Sequence, residues 1–346
     1  MGMIGVSCGR RAAGALLFLF MLAGAAHAQA EESIILRSGE ASMTLTPRFG
    51  GRVSALSLDG RASLIAFDAE AAGQAGAGPV SAATPHPGVL GHVLWLGPQS
   101  QWWRHQSVAP ERDEETWPPD PWRAVARAEP VTREGEAVTL RSEPSPVSGV
   151  RVTQRFAAVP DMPGAFSLQA RAENAREEAV AWDLWFVTRV PAAAEVYAPA
   201  ASADAVHVLN MSGDPETAPA FAVQGGLFHM QPAPGAAGQQ GKMFVAPSAG
   251  WMAAFHDGQA FLITFGLLEE SEIHEDQAQL EFYVDDRPGA PLGGFIEMEL
   301  HAPFETLMPG EAMEAAERWQ VLPYEGADTD AARRDFLRRH LDWPRD

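Results

Sequence analysis

Apolar and polar residues alternate with a period of two along most of the chain, the pattern of half-buried strands. It opens at residues 33–36 and 41–46 and continues over 52–58, where Asp59-Gly60 closes it. Val150, Val152, Gln154 and Phe156 alternate with Arg151, Thr153 and Arg155. After Asp161-Met162-Pro163-Gly164, Phe166, Leu168, Ala170 and Ala172 alternate with Ser167, Gln169 and Arg171, which predicts an antiparallel hairpin. Residues 251–255 and 260–268 flank His256-Asp257-Gly258-Gln259, and Asp-Gly favours a tight hairpin turn. Further strands are predicted at 180–187, 280–284, 294–300 and 318–322. Residues 69–89 and 231–241 read as loops. One helix is predicted at 329–341, capped by Thr329 or Asp330, with Phe336, Leu337 and Leu341 on one face and Arg333, Arg334, Arg338 and Arg339 solvated. The fold class is all-β: one antiparallel sandwich over residues 31–325, with a helical tail over 326–346.

Residues 1–30 depart from this pattern. Arg10 and Arg11 precede an apolar run containing Leu16, Leu17, Phe18 and Leu19, and Ala26-His27-Ala28 and Ala28-Gln29-Ala30 both fit a small-x-small cleavage site. That predicts a secretory signal peptide, cleavage near Gln29 or Glu31, and a periplasmic or secreted protein without stable membrane insertion. Cleavage removes the one cysteine, Cys8, so the mature chain has neither disulfides nor thiol chemistry. The formal charge of −20 becomes about −22. So acidic a chain excludes a generic nucleic-acid binder. Of the 25 basic residues only Lys242 is a lysine.

Glycine-rich phosphate loops, a Gly-x-Ser-x-Gly elbow and a His-Glu-x-x-His pair are absent from the sequence, its histidines show no metal-ligand spacing, and no cofactor or metal is expected. Asp285-Asp286 reads as a solvated turn, since Ca²⁺ needs about six or more oxygens. Trp95, Trp102, Trp103, Trp117 and Trp122 fall within 28 residues among prolines and polar residues, which predicts loops. Such rings either stack on a ligand or plug one end of the sandwich. In Gly294-Phe295-Ile296-Glu297-Met298-Glu299-Leu300 the two glutamates share one strand face. They are either a pair whose mutual repulsion tunes an acid or base, or the wet face of an amphipathic strand. Lys242 offers a point charge that donates to hydroxyls, or is a chance survivor. Asp183, between Trp182 and Trp185, faces a cleft or pairs with Arg189, Arg155 or Arg171. Arg52 either lines a cleft or forms a salt bridge, and His92 is a ligand contact or a core histidine.

The order Phe49-Gly50-Gly51-Arg52-Val53, Gly91-His92-Val93-Leu94-Trp95, Glu173-Asn174, Gly250-Trp251, Glu297-Met298-Glu299-Leu300, Leu307-Met308-Pro309-Gly310-Glu311 and Trp319 resembles a bacterial domain family of unknown function. That family is similar to the galactose-mutarotase superfamily, and the resemblance covers most of residues 33–323. It implies a β-supersandwich of antiparallel strands. Aldose epimerases carry a Gly-x-x-Glu strand before a Leu-x-Pro-Gly-Glu turn, and the strand Glu is the catalytic base. By that resemblance Glu297 inherits the role, with Glu299 as its same-face alternative. The epimerase general-acid His has no counterpart here: Trp185 lies near its place, and Asp183 is the nearby acid. The expectation is therefore an exported carbohydrate-binding protein or atypical sugar epimerase, with Glu297, Glu299 and Asp183 as candidate catalytic groups. Arg52, His92, Trp95, Trp117, Trp122, Trp185 and Lys242 are the candidate sugar contacts. The alternative is a non-catalytic assembly module that packs its Trp-rich loops on a protein partner. Oligomeric state is not legible.

Overall fold

The structure is a computed structural model that describes residues 33–75, 79–231 and 235–341, so the expected signal peptide lies outside the described residues. In chain order the strands are β1 (Ile34–Ser38), β2 (Ala41–Thr46), β3 (Arg52–Leu58), β4 (His92–Gly97), β5 (Glu129–Glu134), β6 (Ala137–Arg141) and β7 (Val150–Ala158). They continue with β8 (Ala165–Asn174), β9 (Val180–Pro191), β10 (Glu195–Pro199), β11 (Val206–Asn210), β12 (Phe221–Gln224), β13 (Leu227–Met230) and β14 (Gln240–Val245). The last are β15 (Trp251–His256), β16 (Gln259–Thr264), β17 (Leu280–Asp285), β18 (Phe295–His301), β19 (Glu305–Leu307) and β20 (Ala312–Pro323).

The pairings are antiparallel and build two ten-stranded sheets. The first runs β1-β2-β3-β4-β9-β18-β17-β14-β11, with β19 also on β9; the second runs β12-β13-β10-β15-β16-β20-β8-β7-β6-β5. Their inner faces meet in one apolar layer that includes Phe186, Phe282, Met298, Phe228, Phe261 and Trp319. Phe228 of the second sheet stacks on Phe282 of the first at 5.1 Å between ring centres. The fold class expected from the alternation is therefore the one observed.

Local chemistry sets the turns. In the β15–β16 hairpin Asp257 and Gly258 both take positive φ, 48° and 66°, as a type I′ turn requires. The C-terminal helix Asp330–His340 starts where the Thr329 hydroxyl accepts the Ala332 N–H. Its Phe336 and Leu337 bury against Tyr197, Trp251 and Phe255 of the second sheet. No helix among the described residues is long and apolar enough to cross a membrane.

Four expectations need correction. Residues 69–74 form a short helix inside the expected loop, capped by Asp68. The strand expected over 260–268 ends at Thr264. The loop expected over 231–241 gives way to β14 at Gln240. Arg333 is buried and pairs with Asp328, and Arg334 binds Asp330, so these two tie the start of the helix to nearby acids, while Arg338 and Arg339 stay on the solvent side.

Candidate functional site

Strand register decides which side chains share a face, because directly opposed residues of an antiparallel pair point the same way. Glu297 lies opposite Arg189 and Tyr283; Glu299 lies opposite Val187 and Glu281. His301 lies opposite Trp185, which in turn lies opposite Trp95, and Asp183 lies opposite Gly97. Lys242 is opposite Tyr283. Ile296, Met298 and Leu300 of the same β18 face the inter-sheet core. This set therefore lies on the outer face of the first sheet.

The centre of this face is a charged cluster around one indole. Lys242 Nζ is 2.6 Å from Glu281 Oε2 and 2.9 Å from Glu299 Oε2, and stands 4.8 Å over the Trp185 ring. Trp185 Nε1–H donates to Glu299 Oε2 at 2.9 Å. His301 Nδ1 meets Asp183 Oδ1 at 3.1 Å, and its Nε2 is 3.4 Å from Glu281 Oε1. The His301 and Trp185 rings are 4.8 Å apart. Beside them Arg189 holds Glu297 Oε1 at 2.7 Å and lies 4.9 Å from the Trp95 ring. Glu299 has no exposed side-chain surface, whereas Lys242 and Glu297 keep 13% and 12%, so these two form the solvent edge of the cluster.

Burial in such a place penalises charge, and the partners decide which groups keep it. Burial opposes the Lys242 ammonium, yet Glu281 and Glu299 more than offset this and hold its pKa above the usual lysine value. Burial likewise opposes the Glu281 carboxylate, but Lys242 and then His301 pull its pKa well down. Burial pushes Glu299 up; Lys242 pulls against this, and Glu297 and Glu281 add to the rise, so the net direction is upward. His301 is opposed by burial and then raised by Glu281 and Asp183 to about 9. The result is an ammonium and an imidazolium packed against Trp185 beside a carboxyl group whose charge burial opposes.

Glu281, Glu299 and His301 bring ligand atoms within 4.8 Å of one another, an arrangement of metal-ligating types that sequence spacing did not reveal. The Lys242 ammonium already bonds both carboxylates, so it stands where a cation would draw on them.

The tryptophans correct the loop expectation. Trp95 lies in β4, bonded between β3 and β9, and Trp95, Trp102 and Trp103 are buried. They form a second apolar layer outside the sheet: Trp95 and Trp102 stand 5.2 and 5.8 Å from Trp185. Trp122 is half-buried on the short helix Pro121–Ala124 and packs on the core. Only Trp117 of this group is exposed, at 52%, with its ring 5.2 Å from His86. The prolines around these residues mark turns of a segment folded back over the sheet, and local sequence does not tell such a cover from a free loop.

Arg52, read as a cleft or salt-bridge residue, and His92, read as a ligand contact or a core histidine, are both buried. His92 points into the sandwich, edge-on to Trp319 at 4.8 Å, with Nδ1 2.9 Å from Thr188 Oγ1. Burial, then Arg52 and Arg189, push its pKa down to about 3, so it is a neutral core histidine. Arg52 lies on the outer face and donates to the carbonyls of Leu90 and Ala124. Asp183 pairs with His301, not with an arginine. Asp285, expected in a solvated turn, is buried and bound by Arg287. Among the site residues, Glu281, His301, Tyr283 and His86 were not singled out from sequence. His301 had a signal, since it continues the parity of Glu297 and Glu299; Glu281 needed the β17–β18 register.

Solved structures of this shape come from several bacteria. A candidate aldose 1-epimerase from Klebsiella pneumoniae is 13% identical, with 87% of this chain and 82% of that one covered at a TM-score of 0.53. One from Escherichia coli is 14% identical, covering 84% and 99% at 0.51. A galactose mutarotase-like protein from Lactobacillus casei is 10% identical, covering 84% and 100% at 0.51. At such identities the likeness is one of fold, and the fold is galactose-mutarotase-like. A comparison with curated proteins gives no match. Residues 32–322 match the domain of unknown function DUF4380, and the chain belongs to that family.

Proposed function

We propose that this is an exported carbohydrate-binding protein that takes a sugar at the outer face of the first sheet, along the edge formed by Trp117, Glu297 and Lys242. The observation that carries the reading is the Lys242–Trp185 contact at 4.8 Å, flanked by Glu299 and by the Arg189–Glu297 pair. A sugar offers an apolar ring face and a rim of hydroxyls; Trp185 is itself 2% exposed, so the open indole is that of Trp117, and Lys242 and Glu297 are the donor and acceptor at the solvent edge. The names of the similar structures, mutarotase-like and epimerase, support the choice of ligand class. The protein-partner alternative loses its main support, because Trp95, Trp102 and Trp103 are already packed inside the chain. The test is titration of the folded protein with hexoses, pentoses and oligosaccharides, followed by tryptophan fluorescence and calorimetry. Saturable binding that Lys242→Ala weakens is expected. Silence from every sugar tested sinks the reading.

One observation favours proton transfer as a second reading. The imidazole missing from β9 near Trp185 has a stand-in, since His301 reaches the Trp185 ring from β18 and would be the proton donor, with the Glu299 carboxylate that accepts from Trp185 Nε1 as the proton acceptor. Mutarotation needs one proton given to the ring oxygen and one taken from the anomeric hydroxyl. Polarimetry of freshly dissolved α-D-glucose and α-D-galactose tests this. The expected result is acceleration by the native protein and loss in both Glu299→Gln and His301→Asn; equal rates in all three exclude it.

A further inference from the structure

One buried cation beside the Trp185 cluster is not matched by an anion. Arg52 is 1% exposed and has no ion-pair partner among the described residues; its two terminal nitrogens serve the carbonyls of Leu90 and Ala124. A second guanidinium, Arg189, lies on the other side of Gly91, whose carbonyl accepts from Arg189 Nη1 at 3.3 Å. Gly91 carries φ +79°, and a Cβ there would stand 3.0 Å from Arg52 Cδ, so the backbone makes room for the arginine. Arg189 is neutralised by Glu297, but Arg52 is not. A buried, uncompensated charge costs several kcal/mol.

Three unused donors lie on Arg52 and on two rings that neighbour Arg189 or one another. Arg52 Nε, Trp95 Nε1 and His86 Nε2 are buried and meet no acceptor among the described residues. His86 Nδ1 accepts the Gly88 N–H at 3.3 Å, which leaves the ring proton on Nε2. The chain of contacts is continuous: Arg189 lies 4.9 Å from the Trp95 ring, Trp95 6.5 Å from His86, and His86 5.2 Å from the exposed Trp117. Buried donors left without acceptors are rare and call for an explanation. A neutral hydroxyl would satisfy one such donor and leave the guanidinium uncompensated. An oxyanion accepts from several N–H groups at once and supplies the missing charge.

We infer that the ligand is an anionic carbohydrate, whose carboxylate or phosphate ester docks against Arg52, Trp95 and His86. The inference rests on the carbohydrate reading above and adds the chemical class of the substrate.

Calorimetric titration with D-galacturonate, glucose 6-phosphate, D-galactose and D-glucose tests it, on the native chain and on Arg52→Gln and Trp95→Phe. Trp95→Phe keeps an aromatic ring and removes the N–H, so it carries the test if Arg52→Gln fails to fold. The expected result is an anionic sugar bound about tenfold or more tighter than its neutral counterpart, with that preference reduced in both variants. Tighter binding of galacturonate or of glucose 6-phosphate identifies which oxyanion is used. Neutral sugars that bind as well as both anionic ones overturn the inference and leave the carbohydrate reading standing. No binding by any of the four overturns both.

Discussion

Lys242 Nζ lies 2.9 Å from Glu299 Oε2 while bonding Glu281 at 2.6 Å, so the chain's one lysine is the cation that two buried carboxyl groups share. Removing one partner of a buried ion network costs more than removing the network, because the survivors stay desolvated. Lys242→Met should cost about 3–5 kcal/mol, and Lys242→Met combined with Glu281→Gln should recover part of it. Urea denaturation of the two proteins measures both. A double variant no more stable than the single one removes the shared-cation account.

Stability should fall as pH rises from neutral. The folded His301 pKa is about 9 against an ordinary 6.5. Its pairing is therefore fully present below pH 6.5 and is lost as pH climbs through about 9. Each such proton gives a slope of at most about 1.4 kcal/mol per pH unit. His301→Asn should flatten the urea-midpoint curve across that window; an unchanged slope contradicts the assignment.

Glu317 makes a separate prediction in the same direction. It is buried, bonded to Trp319 Nε1 at 2.9 Å, and burial lifts its pKa from 4.5 to about 8 despite that bond. The folded protein then holds a proton that the unfolded chain has released, so stability drains between pH 4.5 and 8. Glu317→Gln should match the native protein near pH 4.5 and exceed it above pH 8. A variant less stable at both pH values would refute this.

Gly97 is open to a sharper test. A Cβ there would run into the Asp183 carboxylate and the Gln277 amide, whereas at Gly266 it would meet nothing within 4 Å. Gly97→Ala should cost about 1–3 kcal/mol and lower the His301 pKa by NMR, since Asp183 must move. Gly266→Ala should stay within about 0.5 kcal/mol of the native protein.

Trp117 separates binding from folding. With about half its surface exposed, it contributes little to the core. Trp117→Ala should weaken sugar binding measurably and change stability by less than about 1 kcal/mol. A large stability loss would return this ring to the scaffold.

Much of the framework was legible because strands write their period into the sequence. The alternation through Val150–Phe156 and Phe166–Ala172, the Asp257-Gly258 turn and the parity of Glu297 with Glu299 all follow from short-range backbone geometry. Residues 52–58 predicted a strand and β3 spans Arg52–Leu58. The site was legible only in fragments. Parity says that Glu297 and Glu299 share a face, but not that Glu299 is sealed beneath Lys242 while Glu297 reaches solvent. Those outcomes depend on β17 and β9 flanking β18, and on residues 98–122 folding back over the sheet. The same step turned expected loop tryptophans into a buried layer and sent His92 inward against Trp319. Alternation along the chain determined which residues share a side. Only the tertiary structure decided which sides are covered and which charges meet, because burial and Coulomb partners come from strands far apart in sequence, as Lys242, Glu281, Glu299 and Asp183 do.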